Sequence, residues 1–375
     1  MEPDQIGLFL SRTTPRALVA AFTVMGLLFL GTGFLTRAYN RQKQERAERQ
    51  YQAGEQAAAA GRYQDAIQLY TAALALKRDD ERYLQALALV LVKAGRTEEA
   101  ETYLRQLLRA DPANGVANLM LARIYAGRGN MELAVQYYQR AIYGLWPENP
   151  LERRIETRFE LIHLYEEKGE LRAMEAELLR LLEEIPDDPK LKKRIGWLFL
   201  AAESYANAGK VFAEVTRSDP RDAEAFRGLG DAEFAMEHYF SARTAYARAS
   251  ALNPKDTRSR AQYALATEVI RLNPMLRGLG SYTRLRRSQI LVERARKALD
   301  YCLPEDLETL PAQVREMLDK ADRLISGKVR QRRTAEAVEE NIALAEALER
   351  YRVLNCPSPA APDRALTLVL RQLAS

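Results

Sequence analysis

The residue types that most often catalyse reactions or bind metals are scarce in this chain. Its 375 residues include two histidines, His163 and His238, and two cysteines, Cys302 and Cys356. No Cys-x-x-Cys, His-Glu-x-x-His or acidic calcium-loop pattern occurs, and no glycine-rich loop is suited to bind phosphate. We therefore expect no metal, no cofactor and no enzymatic activity.

Two cysteines are too few for a scaffold that depends on disulfides. We interpret Cys302 and Cys356 as ordinary thiols that pack between helices. A single bridge between them stays open as an alternative if this region is exported.

The composition is typical of an ordered helical protein. Apolar residues make up 47% and charged residues 29% of the chain, which is typical of folded rather than disordered sequences. Alanine, leucine, arginine and glutamate dominate, and these are strong helix formers. The fold class predicted is all-α, with almost no strand.

Three residue types recur with a common period of about 34 residues, which predicts a repeated two-helix unit. Gly61, Gly95 and Gly129 follow this spacing, and so do three prolines. Alanines follow it as well, except for one gap of 74 residues, which is two periods plus six, with Met174 in the intermediate position. The positions concerned are Ala66, Ala100, Ala134, Ala208 and Ala242, and Pro186, Pro220 and Pro254.

The repeat resembles the tetratricopeptide-repeat family, in a membrane-anchored form of bacterial type. The best copy, residues 223–256, contains the family's pattern of large, small and aromatic residues: Phe226, Leu229, Gly230, Tyr239, Ala242, Tyr246, Ala249 and Pro254. Six copies cover residues 47–256. The resemblance implies a right-handed α-solenoid of about six helical hairpins that binds partner proteins in a concave groove.

Alternating small and large side chains indicate how the hairpins stack. Glycine on the first helix and alanine on the second let two backbones approach, and aromatic rings fill the space between units. The extra residues lie between Gly144 and Arg154, where two prolines favour an ordered loop. The loop is either a neutral insertion or a place where Trp146 contacts a partner.

Family geometry places the first helix of each unit along the groove. The predicted inner positions include Tyr51, Glu55, Gln85 and Leu89. The later positions combine aromatic rings with charges, which suits a segment with apolar anchors and acidic groups. The candidate binding residues are Arg123, Phe159, His163, Lys193, Trp197, Arg227, Asp231 and Phe234.

Residues 17–36 form a stretch without charge that follows a short tail, residues 1–16. A helix of this length spans about 30 Å, the hydrocarbon thickness of a bilayer. We predict an uncleaved membrane anchor, with a cleaved signal peptide and a buried soluble helix as alternatives. Its side chains include Ala17, Leu27, Leu28, Phe29, Leu30 and Phe34.

The basic residues around this stretch predict its orientation. Arg12 and Arg16 precede it, whereas five basic residues follow between Arg37 and Arg49. This distribution favours a cell-membrane protein with a cytoplasmic carboxyl-terminal part, and export is the alternative. Residues 37–46 are predicted to continue the helix and to attract lipid headgroups.

The period fades after Pro254, and residues 257–375 are predicted to form a helical bundle that caps the array, with a proline-rich break at 357–362. Residues 255–297 carry a local net charge of +8. This surface is interpreted as a solvated helix face, with acidic protein or lipid as alternatives and nucleic acid disfavoured. The function predicted is a membrane-anchored scaffold for partner proteins; the alternatives are a self-associating homo-oligomer and an enzyme with its site in the bundle.

Overall fold

The computed structural model describes residues 15–327, 331–357 and 363–374, and these residues contain helices and no strand. The predicted all-α, tetratricopeptide-like solenoid is confirmed. Residues 1–14 of the predicted tail, residues 328–330 and residues 358–362 of the proline-rich break lie outside the described residues. The side chain of Ala17 also lies outside them.

Seventeen α-helices follow one another along the described chain. The first twelve form six consecutive hairpins, as the repeat predicts. They are α1 (Pro15–Ala59), α2 (Tyr63–Leu76), α3 (Glu81–Lys93), α4 (Thr97–Ala110), α5 (Gly115–Gly127), α6 (Met131–Ile142), α7 (Pro150–Lys168), α8 (Leu171–Glu184), α9 (Pro189–Ala201), α10 (Tyr205–Ser218), α11 (Ala223–Ala235) and α12 (Tyr239–Leu252). The carboxyl-terminal helices are α13 (Thr257–Leu272), α14 (Ser281–Lys297), α15 (Ala312–Ile325), α16 (Ala335–Asn355) and α17 (Arg364–Ala374).

A short acidic or amide side chain caps the amino end of four first helices and of α13. Each carboxylate or amide oxygen accepts a hydrogen bond from a backbone N–H of the first turn, which has no partner within the helix. These caps repeat with the period of the array, although they were not among the repeated residue types recognised in the sequence. They are Asp80, Asn114, Asp188, Asp222 and Asp256.

The turn inside each hairpin requires one residue in the left-handed region. Glycine occupies this position in the first four hairpins, with φ between 70° and 77°. Glu203 and Glu237 occupy it in the last two, at φ values of 56° and 63°. A residue with a Cβ is strained there by roughly 1–2 kcal/mol.

Glycines of first helices lie against aromatic rings of second helices sixteen residues later. A Cβ added to Gly54 would lie 2.6 Å from the ring of Tyr70, and one added to Gly230 would lie 2.7 Å from the ring of Tyr246. These distances are shorter than the roughly 3.5–4.0 Å of a carbon–carbon contact. The small-against-large packing predicted from the sequence is therefore present in these hairpins.

The chain divides into two units, residues 1–164 and residues 165–375. In unit 1, the apolar part of α1 has exposed side chains from Val19 onwards, and Ala47 is the first buried residue after Val19. The residues of the predicted anchor from Leu27 to Phe34 illustrate this: Leu27, Leu28, Phe29, Leu30 and Phe34 are each between 64% and 79% exposed. Residues Val19–Ala59 include a stretch with mean hydropathy 1.9, long and apolar enough to cross a membrane, as a signal sequence would also be.

A hydrogen-bonded cluster fixes α4 against α5 in unit 1. The carboxylate of Glu101 accepts hydrogen bonds from Tyr125 at 2.6 Å, Arg128 at 2.6 Å and Arg105 at 2.9 Å. Burial acts to raise the pKa of Glu101, but these three donors outweigh it and lower the pKa to about 2. The charged form of this carboxylate therefore stabilises the fold.

In unit 2, the carboxyl-terminal helices share one core with the last hairpin. Tyr239 of α12, Val269 of α13, Leu291 of α14, Leu348 of α16 and Val369 of α17 belong to the same buried cluster. Polar contacts add to it, since the Asn273 amide donates to Gln372 at 2.9 Å and Arg371 pairs with Glu237 at 3.0 Å.

The interpretation of the two cysteines as separate thiols is wrong. Cys302 and Cys356 form a disulfide, with their Cα atoms 5.6 Å apart. The 54-residue separation concealed this pairing because only the packing of α14 against α16 brings the two ends together. That distance lies within the range that disulfides span.

Candidate functional site

Unit 1 contains a groove of about 610 Å³, which we call the α1–α3 groove. One side is formed by α1 and α3. The other side is formed by residues just before and within the start of α5 and by the loop after α6, which we call the 144–147 loop. The lining residues include Tyr51, Glu55, Gln85, Leu89, Lys93, Asn114, Leu145, Trp146 and Pro147.

Stacked tyrosines make the α1 side of the groove rigid. The ring of Tyr51 stacks on Tyr83 with centroids 4.9 Å apart and packs at a tilt on Tyr70 at 5.6 Å. Arg82 lies 5.5 Å from the centre of the Tyr51 ring and is held by an ion pair with Glu48 at 3.1 Å. Burial and a hydrogen bond with Glu55 raise the pKa of Tyr51 to about 12, so its hydroxyl stays neutral at physiological pH.

The 144–147 loop is ordered, as its prolines predict. The backbone of Leu145 donates to the carbonyl of Ala113 at 2.6 Å and accepts from Gly115 at 2.9 Å. The indole N–H of Trp146 donates to the carbonyl of Ala141 at 3.0 Å, and its ring covers Gly115, where a Cβ would lie 2.6 Å away. Trp146 therefore holds the loop in place, and the exposed side chain next to it is Leu145.

The exposed groups of the groove are suited to recognition. Leu89 is 45% exposed and Leu145 is 68% exposed, so two aliphatic side chains face solvent within one concavity. Lys93 lies one helical turn after Leu89 and makes no ion pair with the residues that the structure describes. Concave sites of this kind, apolar with a few polar groups, are typical of ligand-binding sites.

Three candidate binding residues of unit 1, Arg123, Phe159 and His163, lie outside the lining of this groove. Arg123 on α5 makes a two-pronged ion pair with Glu160 on α7, at 2.6 and 2.9 Å. Phe159 was expected to be exposed, but it is only 3% exposed because α7 turns it into the core. His163, on the same helix, is exposed.

The sequence-predicted residues of unit 2 form a series of contacts between consecutive first helices. Lys193 on α9 pairs with Asp222 and Glu224 at 2.9 Å each. The guanidinium of Arg227 lies 5.1 Å from the centre of the Trp197 ring, which itself packs edge-on against Phe212. These charges are therefore used within the protein to join α9 to α11.

The same pattern continues one repeat later. Arg227 also approaches Asp256 at 3.7 Å, and Asp231 pairs with Arg258 of α13 at 3.0 Å. Burial raises the pKa of Asp231, although the hydroxyl of Tyr246 donates to it at 2.7 Å. Phe234 packs edge-on against Tyr239. The structure thus brings Lys193, Trp197 and Arg227 together as one cluster, and Asp231 and Phe234 next to Tyr246.

Sequence reasoning identified part of the α1–α3 groove and missed the rest. Tyr51, Glu55, Gln85 and Leu89 were named as inner positions because family geometry places them there. Lys93 was missed, although its position one turn after Leu89 was a usable signal. The contribution of Leu145 could not be read from the sequence, since it depends on the path of the 144–147 loop over Gly115.

A second cavity, of about 490 Å³, lies in the carboxyl-terminal bundle between α14, α16 and α17. Its charged groups largely neutralise one another: Arg352 makes a two-pronged contact with Glu349 at 2.7 Å, and Arg294 contacts Asp363 at 3.3 Å. Hydrogen bonding to Glu349 raises the pKa of Arg352.

The basic stretch 255–297 is partly used within the fold. Arg258 and Arg294 make the ion pairs already described, Arg296 pairs with Asp322 at 3.0 Å, and Arg287 donates to the carbonyls of Ile270 and Asn273. Burial lowers the pKa of Arg287. Much of the local positive charge therefore stabilises the bundle, in keeping with a structural role for this surface.

Consecutive helical hairpins with a lined groove define a helical-repeat protein of the kind that binds other proteins. The tetratricopeptide-repeat family models match residues 57–112, 86–150 and 193–257. The chain is a tetratricopeptide-repeat protein. Such proteins generally mediate protein–protein interactions and are typically not enzymes.

The curated relatives are much longer than the matched region. The chain is 34% identical over 111 residues to the Protein CTR9 homolog of Arabidopsis thaliana, covering 30% of this chain and 10% of that protein. It is 30% identical over 157 residues to Superkiller protein 3 of Schizosaccharomyces pombe, covering 40% and 11%. The chain thus spans about a tenth of the length of these relatives.

Solved structures with similar folds are also tetratricopeptide-repeat proteins. YrrB, a TPR protein with an unusual peptide-binding site, is 19% identical with a TM-score of 0.39, covering 51% of this chain and 96% of that chain. The C-terminal part of a TPR repeat-containing protein from Cytophaga hutchinsonii is 14% identical with a TM-score of 0.44, covering 70% and 99%.

Proposed function

We propose that this protein is a membrane-anchored scaffold that binds a segment of a partner protein in the α1–α3 groove. The observation that carries the proposal is the groove itself. It exposes Leu89 and Leu145 beside the unpaired cation of Lys93, on a base of stacked tyrosines. These groups suit a segment with an apolar side chain for the two leucines and a carboxylate for the lysine.

The rigidity of the groove supports this proposal. The tyrosine stack and the hydrogen-bonded 144–147 loop hold the two sides before a partner binds. A preformed site loses little conformational entropy on binding, so more of the contact free energy contributes to affinity.

One continuous helix, α1, contains both the proposed anchor and part of one side of the groove. From Thr36, at the end of the uncharged stretch, to Ala47, where burial begins, α1 rises roughly 16 Å at about 1.5 Å per residue. A single-pass cell-membrane anchor at residues 17–36 would therefore hold the groove close to the headgroups. The protein would act by concentrating and orienting its partner, without chemistry of its own.

The cluster of Lys193, Trp197 and Arg227, together with Asp231 and Phe234, remains a second proposed contact surface, as do Arg123 and His163 in unit 1. The ion pairs of Arg123, Lys193, Arg227 and Asp231 within the protein make these surfaces weaker candidates than the groove. A homo-oligomer formed through the array and an enzyme using the bundle cavity are the alternative functions.

Photo-crosslinking in native membranes tests the proposal. A photoreactive amino acid replaces Gln85 in the groove of the full-length chain, and mass spectrometry identifies the crosslinked segments. We then expect Leu89→Glu to reduce crosslinking by about tenfold or more, because it places a second charge among the apolar contacts.

Leu179→Glu is the matched control, because Leu179 is also an exposed leucine of a repeat helix and lies outside the groove lining. It should leave crosslinking unchanged. Equal crosslinking by wild type and Leu89→Glu would refute the groove, and release of the chain from membranes by alkaline carbonate would refute the anchor.

A further inference from the structure

The disulfide in the bundle involves both cysteines of the chain. Cys302 follows the end of α14, and Cys356 caps the end of α16. Both side chains pack against the buried cluster of the bundle, whose members include the fully buried Leu299 and Leu348. Both cysteines are half-buried, so the bond lies at the edge of this cluster and joins the ends of two packed helices.

We propose that this protein is a substrate of a thiol–disulfide oxidase and that its bundle lies on the oxidising, exported side of the membrane. Cytosolic thiols are kept reduced by glutathione and thioredoxin, whereas disulfides form and persist outside the cytosol. A structural disulfide thus indicates the compartment in which the bundle folds. The inference does not depend on the groove, and it holds whether α1 is a retained anchor or a signal sequence.

The packing of the bundle is consistent with an easily formed bond. Packing of α14 against α16 places their Cα atoms 5.6 Å apart, a distance that needs no movement of the backbone. The Tyr301 hydroxyl donates to the carbonyl of Pro357, so the residues next to each cysteine are also joined. Cyclisation is therefore an intramolecular step between groups that are already close.

The oxidation is a balanced exchange with a protein disulfide of the oxidase. The thiolate of one cysteine attacks a sulfur of the oxidase disulfide, which forms a mixed disulfide and releases one oxidase thiolate. The thiolate of the other cysteine then attacks the sulfur on this chain, forms the Cys302–Cys356 bond and releases the second oxidase thiolate. Two electrons pass to the oxidase, and the two protons of the original thiols leave to solvent.

This orientation is opposite to the one favoured by the basic residues near the apolar stretch. Two arginines precede the stretch and five basic residues follow it, which favours retention of the carboxyl-terminal part in the cytoplasm. Two of the five, Arg41 and Arg49, lie near Glu45 on α1, at 3.6 and 3.8 Å. The charge count and the disulfide therefore make opposite predictions that one experiment can separate.

The test measures the redox state and the location of the same full-length chain. Cells are quenched with acid, and a polyethylene-glycol maleimide is added to the denatured chain in one of two ways: directly, or after free thiols have been blocked and disulfides then reduced. We expect no size shift before reduction and a shift of two additions after it. Cys302→Ser leaves one thiol and should shift by one addition without reduction, which confirms that the reagent reaches an unpaired cysteine.

Location is measured with two reporters fused after Ser375. Alkaline phosphatase, which is active only when exported, should be active, and green fluorescent protein, which fluoresces in the cytoplasm, should stay dark. A host strain without its thiol–disulfide oxidase should accumulate the reduced chain. A shift of two additions before reduction, or a fluorescent fusion, would overturn the proposal, whatever the crosslinking of the groove shows.

Discussion

Phe212 lies between glycines of two consecutive first helices, and this contact allows a direct test of how the repeats pack. The ring is fully buried. A Cβ at Gly228 of α11 would lie 2.3 Å from its Cζ atom, and a Cβ at Gly196 of α9 would lie 2.8 Å from the same atom. The ring therefore cannot move away from one helix without meeting the other.

We expect Gly228→Ala to destabilise the protein. Overpacking of a core costs about 1–3 kcal/mol, and confinement of the ring on two sides places this position near the upper value. Alanine in a helix interior recovers about 1 kcal/mol relative to glycine. The net loss in the free energy of unfolding should be about 2 kcal/mol.

Gly209→Ala is the matched control. Gly209 lies within α10, and the nearest atom to its added Cβ is Met236 Cε at 3.6 Å, an ordinary contact. This substitution should gain up to about 1 kcal/mol from helix propensity. The two variants make the same chemical change and are expected to have opposite signs.

The measurement is urea unfolding of the full-length chain in detergent, followed by circular dichroism at a helical wavelength. Combining Gly228→Ala with Phe212→Leu should recover part of the loss, with a coupling of about 0.5–3 kcal/mol, because the smaller side chain makes room for the methyl group. A Gly228→Ala protein as stable as the Gly209→Ala protein would refute the proposed packing.

Three further predictions concern the turns, the buried carboxylate and the disulfide. Glu203→Gly should stabilise the protein by up to about 1 kcal/mol, and Gly95→Ala should destabilise it by a similar amount, because both positions have positive φ. The midpoints of urea unfolding measure both effects. Effects of equal sign would contradict the prediction. The pKa of Glu101 is about 2 in the fold and near 4.5 when unperturbed. The ionised carboxylate therefore adds about 1–2 kcal/mol to the free energy of unfolding, after allowance for solvent. This stabilisation is present above pH 4.5 and is lost as the pH falls towards 2. Glu101→Gln should flatten the stability profile between those values, and an unchanged slope would refute the assignment. Cys302→Ser removes a bridge across 54 residues and should lower the free energy of unfolding by about 4 kcal/mol, from the entropy of the closed loop. Thermal unfolding measures this loss. A reducing agent should destabilise the wild type to the same extent and should leave the variant unchanged.

The sequence was sufficient to predict the helical repeat because the repeat is local. A unit of about 34 residues folds through contacts between neighbouring helices, so glycine, alanine and proline keep fixed positions that periodicity reveals. The same locality explains why the ordered loop at Pro147 was predicted, and why Leu89 was recognised as an inner position.

The site depended on contacts that are distant in sequence. Arg123 and Lys193 are charged residues on first helices, as a binding residue would be, but their partners Glu160 and Asp222 lie about one repeat away and use those charges within the protein. Residue type alone does not distinguish a cation that awaits a partner from one that already has a partner in the fold.

By itself, therefore, the sequence determined the helical class, the period of the repeat, its small-against-large packing and the apolar stretch at residues 17–36. Only the tertiary structure decided that Leu145 joins Leu89 in one groove and that Cys302 meets Cys356. The physical reason is that the first set of properties follows from near neighbours on helices, whereas the second depends on where a loop and two helix ends come to lie after the whole unit has packed.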